Sequence, residues 1–158
     1  MPTALINGEV ITMPALTPEH QDVVLDLGAY LKSIVKAKGG RAFVAPLDVY
    51  LDEYNVPQPD VMVLMPGSAC ELGEKRLIGA PDMIVEVLSP GTARHDRKVK
   101  FRLYERFGVK EYWLVDLAEK LIDVWRCDDG RYTLVDIYGM DETTQSPLLG
   151  DVAMDEVF

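Results

Sequence analysis

The chain has 158 residues, 48% of them hydrophobic and 27% charged, which is ordinary globular usage and excludes bulk disorder. Its formal net charge of -10 argues against a protein that coats nucleic acid over its whole surface. No apolar run approaches the roughly 18–20 residues of a membrane helix, the N-terminus does not read as a secretory signal, and Cys70 and Cys127 lack metal-ligand spacing, so one cytoplasmic domain over residues 1–158 with reduced thiols is expected.

Residues 4–13 read as a hairpin, because Asn7-Gly8 is a strong two-residue turn signal. Thr17-Pro18 then opens a helix whose apolar residues recur at three- and four-residue steps until Gly39-Gly40 stops it. Strand-like segments follow at 42–51, 59–65 and 81–88, with a charged, glycine-containing loop at 66–79. A second helix is expected over about 93–107, closed by Gly108, and further strands at 111–117, 120–127 and 131–138. A short helical turn is expected near 154–158. This order implies an α/β fold around one mixed sheet, with helices flanking it.

Residues 81–88 form an apolar run suited to a central strand, and alternation puts Asp82, Ile84, Glu86 and Leu88 on one face. Two carboxylates on such a face are expensive unless a cation or several donors compensate them. Asp60 repeats the pattern, following Pro59 at the start of an apolar strand, and would share a sheet end with Asp82 if their strands were neighbours. Asp60 could simply serve a turn, and Asp82 or Glu86 a strand start or an ion pair, but Asp82 and Glu86 together on one face favour a site. In the second helix Asp96, Lys100 and Tyr104 share a face at four-residue steps. Residues 94–110 hold seven basic and two acidic side chains, which leaves +5 there and −15 over the rest. Asp82, Glu86 and Asp60 would offer the oxygen ligands that Mg²⁺ or Mn²⁺ prefers. Lys100 would face charge on a scissile phosphate, and Arg94, Arg97, Lys98 and Arg102 would grip flanking phosphates of DNA.

The segment from Pro81 to Asp116 closely resembles the signature of the bacterial Uma-two family of restriction-endonuclease-like proteins, within the PD-(D/E)xK nuclease superfamily. The resemblance extends from Leu5-Ile6-Asn7-Gly8-Glu9 through Pro18-Glu19-His20 and Pro59-Asp60 to Phe158. It implies a restriction-endonuclease-like core with an N-terminal hairpin and extra C-terminal strands. Asp60 or Asp82 would then supply the motif's aspartate and Glu86 its second acid. The superfamily's lysine position, two residues after Glu86, holds Leu88, so the resemblance points to Lys100 on the following helix. Family members also carry a glutamate near the start where this chain has Ala4, with Glu9 and Glu19 as the nearby acids that could compensate. His20 matches a family position at the start of the first helix, where it would be an accessory group or a local cap.

The leading expectation is a divalent-metal-dependent DNA endonuclease that hydrolyses phosphodiester bonds. The alternative is a catalytically impaired member acting as a nucleic-acid- or protein-binding homodimer, and a structural homodimer whose acids only form ion pairs is a third. A homodimer is expected in each case, with the 111–138 strands offering an edge.

Overall fold

The computed structural model describes residues 3–12, 15–89 and 94–158, except for the side chain of residue 95. Strands β1 (Thr3–Ile6) and β2 (Glu9–Thr12) form the expected hairpin, with Asn7 and Gly8 at φ of 52° and 78° as its two-residue turn demands. Met13, the expected end of that hairpin, lies outside the described residues. Helix α1 (Pro18–Ala37) starts where Thr17 Oγ1 accepts the His20 amide at 3.1 Å and Pro18 occupies the first turn. Val24, Leu27, Leu31 and Val35 form its buried stripe.

The expected strand at 42–51 is two strands in different sheets: β3 (Arg41–Val44) and β4 (Asp48–Tyr50). Pro46, which has no N–H to give a ladder, stands between them. Strand β5 (Val61–Leu64) follows as expected. The expected loop at 66–79 contains β6 (Glu71–Leu72) and β7 (Arg76–Ile78), which join β4 in a small three-stranded sheet. Strands of two and three residues are too short to show a period. Strand β8 (Met83–Leu88) leads to α2 (Arg94–Arg106), and the expected first helical residue, Ala93, lies outside the described residues. Then come β9 (Glu111–Asp116), β10 (Leu121–Asp128) and β11 (Arg131–Gly139). Strands β12 (Thr143–Ser146) and β13 (Gly150–Ala153) pair with each other, and a one-turn 3₁₀ helix spans Met154–Glu156.

The main sheet has six strands in the order β11-β10-β9-β8-β5-β3. Only the β8–β9 pair is parallel, as a crossover through α2 requires, so the sheet is mixed. Met83, Val85 and Val87 pack with α1, whereas Ile84 packs with Leu103, Tyr104 and Tyr112 on the side of α2. This is the alternation read from the sequence, and it puts Glu86 on the α2 face. Helix α1 lies close to the edge strand because Gly28 has no side chain: a Cβ there would stand 2.5 Å from Val44 Cγ1. Tyr112 and Trp113 are fully buried, as are Met62 and Met83, so these serve as core. Both cysteines are free thiols, and among the described residues no helix is long and apolar enough to cross a membrane.

Candidate active site

The site forms at the seam between β5 and β8. These strands are antiparallel, with Val61 opposite Val85, so Asp60 at the start of β5 comes level with Glu86. Asp60 Oδ2 accepts the Val87 amide at 2.7 Å, which ties the acid to the neighbouring strand. His20, buried at the start of α1, places Nε2 2.9 Å from the Val87 carbonyl oxygen and 3.3 Å from Asp60 Oδ2. Both neighbours are acceptors, so Nε2 carries the proton. Burial alone would lower the His20 pKa. The hydrogen bond and charge of Asp60, the Val87 carbonyl and Glu86 together outweigh it and raise the value.

Glu86 meets the second helix. Its Oε2 accepts from Lys100 Nζ at 2.9 Å and its Oε1 accepts from Tyr104 OH at 3.3 Å. The side chains of Glu86, Asp60 and Lys100 are 7%, 13% and 22% exposed, so the charges are recessed. Burial pushes the Glu86 carboxyl above its ordinary value and the nearby Asp60 charge adds to this, while Lys100 and Tyr104 pull the other way. For Lys100 burial opposes the charge, but Glu86, Asp60 and Asp96 prevail and the ammonium is held more firmly than usual. Burial and Glu86 push the Tyr104 hydroxyl far up, so it stays a phenol that can donate.

Asp82 does not join this cluster. Because β5 and β8 run in opposite directions, the two Pro-Asp starts fall at opposite ends of the sheet, which corrects the expectation that neighbouring strands would bring them together. Four residues of strand separate Asp82 from Glu86, about 13 Å. Asp82 is buried there, accepting the Met65 amide at 2.8 Å and lying 3.3 Å from Lys110 Nζ. Of the basic residues on α2, Arg94, Lys98 and Arg102 are exposed and recur every four residues, with Arg106 extending the stripe. Arg97 is half-buried, and Asp96, though exposed, acts on Lys100 through its charge. Glu9 and Glu19 are exposed, while Ala4 is buried in β1 on the same face as Ile6. Among the described residues no three His, Cys, Asp or Glu side chains converge as a metal cage. The pair that does converge is made of hard oxygens, which suits Mg²⁺ or Mn²⁺. Mg²⁺ is commonly held by one or two carboxylates, with waters and substrate phosphate completing its shell.

Sequence reasoning missed the Val87 carbonyl and amide, since backbone groups leave no residue signature. It also missed a cavity of about 870 Å³ beside Asp60, lined by the start of α1 and the end of β3. Leu16 and Leu25, apolar but off the buried stripe of α1, were the available signal.

Residues 2–155 match the family Uma2, described as "Putative restriction endonuclease". The chain belongs to this family. Two relatives from Synechocystis sp. are similar to it: the uncharacterized protein slr1290 at 30% identity, covering 96% of this chain and 80% of that protein, and the uncharacterized protein sll1609 at 24%, covering 85% and 77%. A crystal structure from Anabaena variabilis, described as a "putative nuclease belonging to DUF820", superposes with a TM-score of 0.78 over 99% of this chain and 89% of that one. At 21% identity it shows a shared fold, so the Uma2 chain has the mixed α/β architecture of that protein.

Proposed function

We propose that this Uma2 protein is a metal-dependent endonuclease that hydrolyses phosphodiester bonds of DNA at the Asp60–Glu86 seam. One observation carries this: the β5–β8 register sets two recessed carboxylates side by side, with the Lys100 ammonium 2.9 Å from one of them. Asp60 and Glu86 would hold Mg²⁺ or Mn²⁺, which when bound polarises a phosphoryl oxygen and acidifies a water. Lys100 presents a fixed positive charge where a phosphate gains negative charge in the transition state. Tyr104 orients Glu86, and His20 positions Asp60 through Nε2. Arg94, Lys98 and Arg102 grip flanking phosphates, and Asp82 serves structure with Lys110.

The buried Ala4, at a position where the family resemblance implies a glutamate, favours a second function: a nucleic-acid- or protein-binding homodimer with little catalysis. Strand β11, at one edge of the main sheet, would be the place for a second copy. Nicking of supercoiled plasmid in Mn²⁺ or Mg²⁺ separates the two. Glu86→Gln and Asp60→Asn are expected to lose cleavage by about 10²-fold or more, while Asp82→Asn retains it. No cleavage by the wild type supports the binding module, and equal losses in Asp82→Asn and Glu86→Gln overturn the assignment to the seam.

A further inference from the structure

The cavity beside Asp60 is not explained by phosphate chemistry. Its wall is apolar, with Leu16, Leu25, Val44 and Pro46 prominent, and Asp60 and His20 also line it, so it opens onto the reactive seam. No lysine or arginine is among its lining residues, whereas Asp22 and Asp60 are, so the lining repels a phosphate. Leu25 and Leu16 are 64% and 42% exposed, so they present apolar surface at the cavity that a ligand can cover. Gln58, held by the bond its Nε2 gives Asp48 Oδ1 at 2.7 Å, adds an oriented amide to this lining. At about 870 Å³ the space is of the size that ligand pockets have.

Resting on the phosphodiesterase function proposed above, we infer that this cavity receives an unpaired nucleobase next to the scissile phosphate, so the substrate is single-stranded or locally unpaired DNA. Helix α2 lies on one face of the sheet and α1, with the cavity, approaches from the other, so Asp60 and Glu86 stand between the Lys100 ammonium and the cavity. The carboxylates are recessed below the rim. A paired, stacked strand cannot deliver both its phosphate to the seam and its base to the cavity, whereas an unpaired strand can. The apolar wall replaces the stacking that the base gives up, and Gln58 and Asp22 offer hydrogen bonds to its edge.

The test is fluorescence anisotropy without added metal, on a labelled single-stranded deoxyoligonucleotide, the same backbone with abasic residues throughout, and the matching duplex. The wild type is expected to bind the base-bearing single strand about tenfold tighter than the abasic strand, and tighter than the duplex. Leu25→Glu and Leu16→Gln, both at exposed positions, are expected to remove that preference with an unchanged melting temperature. Equal binding of base-bearing and abasic strands, preference for duplex, or both variants behaving as wild type overturns the base pocket. Incubating the same strands with Mn²⁺ tests the chemistry separately. Base preference without cleavage keeps the pocket and removes the nuclease, and cleavage without base preference does the reverse.

Discussion

Replacing Lys100 by Met removes the ammonium while keeping the stem. Two unit charges at the observed 2.9 Å attract by about 6 kcal/mol at an effective dielectric of ~20, before desolvation is subtracted. Breaking a fully buried pair costs about 3–5 kcal/mol. Water reaches Lys100, whose side chain is 22% exposed, so about 2–3 kcal/mol is the reasoned loss here. In a domain of this size that is a fall in Tm of about 5–10 °C. The deficit has a pH sign. Glu86 already has a raised pKa, and without Lys100 it rises further. A protonated Glu86 needs no counter-ion, so the deficit is largest above that raised value and shrinks toward acid. Cleavage should fall about 10²–10³-fold, yet Mn²⁺ should bind at least as tightly, because no ammonium competes for Glu86. Thermal unfolding at pH 5 and 8, Mn²⁺ calorimetry and plasmid nicking measure the three effects. An unchanged Tm at both pH values, or Mn²⁺ affinity lost together with cleavage, refutes the ion-pair account.

Glu111 is fully buried and takes three donors: Trp113 Nε1 and Ser146 Oγ at 2.6 Å and the Leu148 amide at 2.9 Å. Burial raises its pKa despite those bonds, so its contribution is best when protonated and weakens as pH climbs from about 4.5 through the raised value. Glu111→Gln sets an N–H₂ against a donor and should lose about 2–3 kcal/mol by urea unfolding at pH 5, with a smaller gap at pH 8; a gap that widens with pH would contradict this. For the α2 stripe, the triple change of Arg94, Lys98 and Arg102 to Gln should lower the slope of log K against log salt by about 2 for single-stranded DNA. An unchanged slope would place the phosphate path elsewhere.

The first helix, the central strand and the basic helix were legible because each carries a strong local signal: a cap with a stripe, an alternation, and a four-residue charge spacing. Lys100 could be found because α2 follows β8 directly and shares its Glu86 face. Which end of the sheet Asp60 and Asp82 each occupy was beyond local signals. Both follow a proline at the start of an apolar strand, and only the direction of β5 against β8 separates them. The same limit hid the sheet of β4, β7 and β6, whose strands are held by Val49 and Leu77 in a shared cluster rather than by a period. Strand β12, Thr-Thr-Gln-Ser, shows no apolar alternation, and its anchor is the buried Glu111 bond to Ser146.

Helix α2 is fastened over its C-terminal half. Val99, Phe101, Leu103 and Tyr104 pack in the aromatic cluster, with the Phe101 ring 4.9 Å from that of Trp125, and Glu105 Oε2 accepts the Tyr132 amide at 2.7 Å. Lys100 lies inside this held stretch, whereas Arg94 stands five residues before Val99 at an exposed position, about 7–8 Å along the axis. A tilt of about 5° about Val99 would swing the Arg94 backbone by about 0.7 Å. Under the proposed function the first turn of the helix can therefore adjust to strands of different curvature while the ammonium keeps its place against Glu86.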